Sequence, residues 1–399
     1  MSNTQYIKLQ INFFTKTWFV ALLASILASI LLSNSTPALA KTISIVPAAP
    51  TIKAHAYLLM DFNSKNIIVS QNADKRVEPA SLTKLMTVYV SLYELSKNNI
   101  KLDDKVKISE KAWRMKGSRM FIKVNSKVSI NELLHGVIIQ SGNDASVALA
   151  EHIAGSEAAF ADLMNQHAKN LGMNNTHFVN STGWPNDNHY TTAKDLAILT
   201  QALINDYKDH YDLFKIKHYT YNGIKQPNRN RLLWTDDRVD GVKTGHTESA
   251  GYCLVSSATQ DNMRLITVVT GTTSESSRES ATRKLLSYGF RFYETFLLNP
   301  AHTSLTQQRI WKGEKEELNL GLTEDLYITA PKNNRSKIKA NMKLDAMITA
   351  PVSKGQKFGN VNVMLGDEIL ATKPLVSLED VKEGGLFSKL IDNVILMFK

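Results

Sequence analysis

Cysteine is almost missing: the 399 residues contain one, Cys253. No internal disulfide can form, so the chain has to be stable through its core. Cys253 lies in Gly251-Tyr252-Cys253-Leu254-Val255, an apolar strand-like run that predicts a buried structural thiol and not a nucleophile. The ten histidines include no pair at a metal-ligand spacing such as His-Glu-x-x-His, which argues against a dedicated zinc site, and no cofactor is implied. Internal repeats and low-complexity tracts are lacking too. There is no basic helix and no zinc spacing, so nucleic acid is set aside as a partner although the formal charge is +10.

Long apolar runs are also scarce. The one near the N-terminus reaches from Trp18 to Leu32, short of the ~20 residues that span a membrane comfortably. Before it come Lys8 and Lys16 with no acid, and after it Ser33-Asn34-Ser35-Thr36-Pro37 and Ala38-Leu39-Ala40. This order predicts a cleavable export signal ending at Ala40 over an uncleaved anchor. Removing its two lysines takes the formal charge to +8, spread along the chain in a way that suits an anionic wall or lipid surface. With 43% hydrophobic and 21% charged residues, the remainder has the composition of a folded protein long enough for two domains.

His55 to Met60 and Ile67 to Ser70 read as a hairpin around Asp61-Phe62-Asn63-Ser64-Lys65-Asn66. Leu82, Leu85, Met86, Tyr89 and Leu92 recur at helical spacing after Glu78-Pro79-Ala80, which puts Ser81 at a helix start. Helical patterns then dominate between 105 and 205, at Ile130 to Gln140, Asp144 to Ala154, Glu157 to Leu171 and Thr192 to Leu203. Short β runs follow at Gly241 to Thr244, Gly251 to Ala258 and Met263 to Thr270, with a helix predicted from Glu279 to Phe296. Beyond Pro300, Leu318 to Leu322, Leu326 to Thr329, Ile338 to Leu344 and Val361 to Leu365 alternate between Gly, Pro and Asn turns, which predicts a small all-β domain. The tail from Gly385 places Leu386, Phe387, Leu390, Ile391, Val394, Ile395 and Phe398 opposite Ser388, Lys389, Asp392 and Asn393. Such an amphipathic end is read as lying on a membrane surface, with docking onto a core as the alternative.

Three short motifs occur in a fixed order: Ser81-Leu82-Thr83-Lys84, Ser141-Gly142-Asn143 and Lys243-Thr244-Gly245. Singly they are weak, since Ser336 to Lys339 repeats the first pattern and Ser64, Ser70 and Ser96 each open a Ser-x-Asn triplet. Together they supply what acyl transfer to a serine needs: a hydroxyl, a nearby base, donors for an oxyanion and a route for the proton to the leaving amine. Lys84, three residues after Ser81 on a helix, can reach its hydroxyl. A free lysine titrates near ~10.4, so desolvation and a second cation, Lys243, are needed to keep Lys84 partly neutral. Ser141 can relay a proton, Asn143 offers a donor and an acceptor to a substrate amide, Lys243 and Thr244 on an edge strand can hold a carboxylate, and Gly245 permits close approach.

The ordered motifs are the signature of penicillin-interacting serine acyl enzymes. The chain resembles the low-molecular-mass penicillin-binding proteins of the D-alanyl-D-alanine carboxypeptidase group, the peptidase S11-like serine DD-peptidases. The resemblance is carried by Pro79 to Thr87, Gln140 to Ala145, Asp240 to Thr247 with Gly251-Tyr252-Cys253, Phe178 to Pro185 and Tyr288 to Phe292. It implies an α+β fold, a β-lactamase/DD-peptidase-like mixed sheet with a helical lobe followed by a small all-β C-terminal domain. It also implies removal of the terminal D-Ala from peptidoglycan stem peptides ending in D-Ala-D-Ala, acylation by β-lactam antibiotics, and peripheral anchorage on the outer face of the cytoplasmic membrane by the C-terminal helix. Ser81, Lys84 and Ser141 then become catalytic, and Asn143, Lys243, Thr244, Gly245 and His246 substrate-binding, with the N–H groups of Ser81 and His246 forming the oxyanion hole. Trp184 departs from the family pattern, which has Leu there. An arginine for the substrate carboxylate has three candidates, Arg278, Arg264 and Arg283.

The expected organisation is a signal peptide over 1–40, a DD-peptidase domain over 41–298, a β domain over 299–380 and an anchor helix over 381–399. A class A β-lactamase shares the motifs but lacks a second domain. A D,D-endopeptidase is nearer, although its shorter relatives lack the β domain and tail, and a longer group carries an insertion that the 60-residue step from Ser81 to Ser141 excludes. A non-catalytic wall binder is opposed by the intact motif residues.

Overall fold

In the computed structural model, residues 46–345 and 347–398 are described; the expected export signal lies outside them. Five strands form the central sheet in the order Ile67–Gln71, Ala56–Asp61, Met263–Thr272, Gly251–Gln260, Val239–Thr247. Both faces are buried, so alternation along each strand sorts side chains between two cores. Leu58, Met60, Cys253, Val255, Ile266 and Val268 face the helical lobe, while Tyr57, Leu59, Leu254, Leu265 and Val269 face the helix Glu275–Phe292.

The fold is the α+β one anticipated, with one difference in detail. Every neighbouring strand pair is antiparallel, so the sheet is not mixed. Three of the four pairs join consecutive strands through short turns, and a parallel pair would require a long crossover. The helical lobe is inserted between Gln71 and Val239 and packs on one face. Its helices Ile130–Ile139, Asn143–Ala154, Glu157–Asn170 and Ala193–Asp206 agree with the sequence periods to within a few residues. The first is held by a capping box in which Ser129 and Glu132 satisfy each other's backbone N–H groups. At the centre of the lobe is Lys84–Ser96, buried without interruption from Lys84 to Leu92.

Sequence periodicity placed the helix behind the sheet four residues too late. Ser274 caps its start by accepting from the Ser277 N–H, and it ends at Phe292. Tyr293–Asn299 is a strand because it pairs with Leu326–Pro331 and sets Phe296 and Leu298 against the next core, a tertiary partner that local periodicity does not contain. The C-terminal β domain adds a six-stranded sheet in the order Ile338–Leu344, Lys357–Leu365, Glu368–Ser377, Glu317–Gly321, Ser304–Trp311, Ile348–Thr349. Its own core contains Ile310, Leu318, Leu320, Ile328, Val363 and Leu375.

The helix Leu386–Met397 docks by its polar face: buried Asp392 accepts from Arg309 at 3.1 Å and from the Lys312 N–H, and Lys389 pairs with Glu383. Leu386, Phe387 and Phe398 on the apolar side remain more than four-fifths exposed. Among the described residues no helix is long and apolar enough to cross a membrane.

A buried carboxylate ties the two folded parts together. Asp61, at the end of a central strand, accepts from the Ser64 N–H at 2.7 Å, the Ser64 hydroxyl at 2.9 Å and the Thr295 hydroxyl at 2.7 Å. Thr329 closes the ring, 2.8 Å from Thr295 and 2.6 Å from Ser64. Asp61→Ala leaves these buried groups unpaired and is expected to cost about 3 kcal/mol, read as a lower urea midpoint; a midpoint equal to the parent's would remove the network from the account of stability.

Candidate active site

The three motifs converge from three segments. Ala80–Thr83 forms one 3-10 turn ahead of the helix Lys84–Ser96, so Ser81 does lie in the opening turn, with Lys84 one turn on. Ser141-Gly142 makes the bend between Ile130–Ile139 and Asn143–Ala154, with Ser141 in the left-handed region at φ 60°. Lys243-Thr244-Gly245 lies on the outermost strand of the sheet. That strand approaches the Ser81 turn closely: a Cβ on Gly245 would sit 3.1 Å from the Pro79 carbonyl oxygen. Next along it comes His246, which lines the cleft beside Ser81.

Lys84 Nζ is fully buried and has three neighbours: Ser81 Oγ at 3.0 Å, Asn143 Oδ1 at 2.8 Å and the Thr182 carbonyl oxygen at 2.6 Å. Two of these can only accept. A neutral amine has two N–H bonds and one lone pair, so with both hydrogens donated to Asn143 and Thr182 the lone pair is left for the Ser81 hydroxyl proton. Burial is the largest influence on Lys84 and the charge of Arg229 the next; together they bring its pKa down to about 7 against the opposing pull of Asp144 and Glu157. Lys243 Nζ donates to Ser141 Oγ at 2.9 Å and to the Thr244 carbonyl at 3.1 Å. Burial first, then Lys84, Arg229 and Arg278, push its pKa well below the ordinary lysine value.

Of the arginine candidates, Arg278 alone lines the cleft beside Ser81 and Thr244. Arg264 is committed to Asp240 and Ser257, and Arg283 reaches Thr235 on the surface. Sequence reasoning missed Arg229, which lines the same cleft. Buried Asn228 and Asn230 fix its flanks through the Ile216 and Gly241 carbonyls, a context with no short motif. Thr182 was also missed, since it contributes only a backbone oxygen. Its loop is built by Asn180, whose Oδ1 accepts from the N–H groups of Thr182, Gly183 and Trp184 and from the Thr182 hydroxyl. Gly183 has φ +82°, and a Cβ there would fall 1.7 Å from the Ala80 carbonyl oxygen. The loop therefore presses directly on the Ser81 turn.

Two further groups hold the frame. His189 Nδ1 accepts from the Val179 N–H, which leaves Nε2–H to donate to Thr83 Oγ1 at 2.8 Å; burial chiefly lowers its pKa to about 4, so the ring stays neutral. Asp144 accepts from the N–H groups of Met120, Phe121, Ile122 and Ala145 and fixes the segment that borders Asn143. The Asn143 amide is used at both ends, toward Lys84 by Oδ1 and toward the Lys116 carbonyl by Nδ2 at 2.7 Å. Cys253 is fully buried, as its apolar run implied, and burial raises its thiol pKa to about 11.

The family described as D-alanyl-D-alanine carboxypeptidase matches residues 43–274, and the C-terminal domain of penicillin-binding protein 5 matches residues 293–383. The chain belongs to the D-alanyl-D-alanine carboxypeptidase family. It is 44% identical to the D-alanyl-D-alanine carboxypeptidase DacC of Escherichia coli over 88% of this chain and 90% of that one. The crystal structure of penicillin-binding protein 5 from Haemophilus influenzae superposes with TM-score 0.82 at 43% identity, over 84% of this chain and all of that one. Penicillin-binding protein D2 from Listeria monocytogenes, in its ampicillin-bound form, is similar at 30% identity and TM-score 0.57, over 61% of this chain and all of that one. The protein is a serine-type D-alanyl-D-alanine carboxypeptidase, of a family that forms serine acyl enzymes and binds β-lactams.

A base at the Lys84 position of this carboxypeptidase would act only as the neutral amine, since only that form can accept a proton. Acylation by a labelled penicillin is expected to rise about tenfold per pH unit below the Lys84 pKa and to level above about 7. Arg229→Gln removes a charge that disfavours protonated Lys84, so the limb moves to higher pH. A stopped-flow pH profile with the limb unmoved would detach Arg229 from the tuning of the base.

Proposed function

We propose that Ser81 is the nucleophile of this carboxypeptidase and Lys84 its base. The observation that carries the assignment is Ser81 Oγ 3.0 Å from Lys84 Nζ, whose other two neighbours, Asn143 Oδ1 and Thr182 O, can only accept. Neutral Lys84 takes the hydroxyl proton as Ser81 Oγ attacks the carbonyl between the two D-alanines. The backbone N–H groups of Ser81 and His246 receive the oxyanion. Collapse breaks the C–N bond, and the proton reaches the leaving amine through Ser141, which Lys243 hydrogen-bonds. The departing D-Ala carboxylate lies toward Thr244 and Gly245 with Arg278 and Arg229. Water then enters with Lys84 again as base, bonds to the acyl carbon and releases the shortened stem peptide, returning the proton to Ser81.

The same reading gives the chain an export signal over 1–40, a peptidase domain over 41–298, a β domain over 299–380 and an anchor helix over 381–399, with action on peptidoglycan outside the cytoplasmic membrane. Supporting the anchor is the helix Leu386–Met397, whose polar face is docked by Asp392 and whose apolar side is exposed. Ampicillin in a relative supports β-lactams as acylating ligands here too.

Release of free D-alanine from an acyl-Lys-D-Ala-D-Ala peptide by residues 41–399, with Ser81→Ala as control, tests the chemistry. Release by the parent alone is the expected result. No release by a folded parent that still takes up a labelled penicillin would move the assignment to an endopeptidase or a β-lactamase, and no uptake to a wall binder. For the anchor, Phe387→Asp with Leu390→Asp is expected to lower co-sedimentation with anionic vesicles at least tenfold, since each substitution puts a charge in place of an exposed apolar side chain that would enter the lipid. Undiminished sedimentation would remove the helix as the membrane contact.

A further inference from the structure

We propose that a second groove, beyond the catalytic cleft, receives a carboxylate carried on the acyl side of the substrate, with Lys116 as its counter-charge and Trp184 as the wall over which the peptide passes. This deepens the carboxypeptidase reading and rests on it.

Three cavities meet in sequence. The smallest, about 210 Å³, runs from Ser81 to Thr244, Arg229 and Arg278. Two guanidinium groups at that end suit the terminal carboxylate of the residue that leaves. The part that stays on the serine must extend the other way, into a cleft of about 640 Å³ lined by Ser81, Asn143, Gly117 and Trp184. A groove of similar size continues past it, and the two share Thr182, Trp184 and Pro185. The groove is lined by Lys111, Arg114 and Lys116 against a single acid, Glu157.

The charges are unequally committed. Lys111 pairs with Glu157 at 2.8 Å, and Glu157 also accepts from the Ser181 N–H and hydroxyl. Arg114 pairs with Glu110. The Lys116 ammonium has no ion-pair partner among the described residues, so it is the cation open to a ligand.

Both walls are fixed in advance. Trp184 is 47% exposed, yet Asn180 holds its backbone at both ends, accepting from the N–H at 3.1 Å and donating to the carbonyl at 3.0 Å. Opposite it, the Lys116 carbonyl accepts from Asn143 Nδ2, and Gly117 at φ +81° turns the chain so tightly that a Cβ would lie 3.0 Å from that nitrogen and 3.7 Å from the indole. The cation is thus mounted on the backbone that also positions Asn143. A large exposed aromatic mounted on a fixed backbone loses less entropy when a peptide packs on it.

The test uses two peptides ending in Lys-D-Ala-D-Ala, one extended upstream by a residue with a free carboxylate and the other with that carboxylate amidated. The anionic peptide is expected to have a kcat/KM about 3- to 10-fold higher at low salt, carried by KM and shrinking toward parity near ~0.5 M salt. Lys116→Glu should invert the ratio and Lys116→Arg keep it. Trp184→Ala should lower kcat/KM for both extended peptides more than for the unextended one. A parent ratio of one at every salt, or a ratio unaltered by Lys116→Glu, overturns the groove while D-alanine release leaves the carboxypeptidase reading intact. Calorimetric binding of the same pair to the Ser81→Ala protein reads the groove without turnover. A preference there with no hydrolysis by the parent would overturn the activity and keep the groove; equal affinities would overturn the groove alone.

Discussion

The structure is organised around one buried amine. Lys84 lies at the centre of the helical lobe with no acid bonded to its Nζ, and its neighbours come from three separate segments: Ser81 one turn back, Asn143 at the head of the next helix pair and Thr182 in a loop. Burying an ammonium without a counter-ion costs several kcal/mol, whereas a neutral amine with two carbonyl acceptors is well satisfied. The environment therefore selects the base form, and the same two acceptors aim the lone pair at the serine. Arg229 pushes in the same sense by charge, and Lys84 in turn helps to lower the pKa of Lys243.

Holding that geometry requires backbone that ordinary helices and strands do not provide. Ala80 and Ser141, non-glycine residues beside Ser81 and Lys243, have φ values of 47° and 60°. Residues in this region cost free energy that the surrounding packing has to offset. The packing is supplied by Gly183 against the Ala80 carbonyl, by Gly245 against Pro79 and by the neutral His189 hydrogen-bonded to Thr83. In this way the sheet edge, the Ser81 turn and the 180–184 loop behave as one block. The Asp61 ring of hydroxyls performs a similar service at the other end of the sheet, where the C-terminal β domain is attached.

Much of this was readable in advance because periodicity and motif order are local properties. The lobe helices, the hairpin at Ala56–Gln71 and the β runs after Arg238 follow from alternation and helical spacing. The helix end at Phe292 does not, since Tyr293–Asn299 becomes a strand only when Leu326–Pro331 is beside it. Choosing Arg278 over Arg264 and Arg283 likewise needs the partners of all three. Arg229 and the Thr182 carbonyl leave no trace in composition or spacing, as one works through long-range charge and the other through an atom every residue has.

By itself the sequence determined the residue types of the chemistry and their order: a serine with a lysine one turn on, a second serine with its asparagine, a second lysine on a β run, and a family to which all of these belong. It also determined that the thiol would be buried and that the tail would be amphipathic. Tertiary structure alone decided that Lys243 donates to Ser141, how far the pKa values of the two lysines fall, which arginines share the cleft, and that the Asn143 amide is held at both ends. Those outcomes depend on desolvation and on distances between segments up to about a hundred residues apart, and neither quantity exists until the chain has packed.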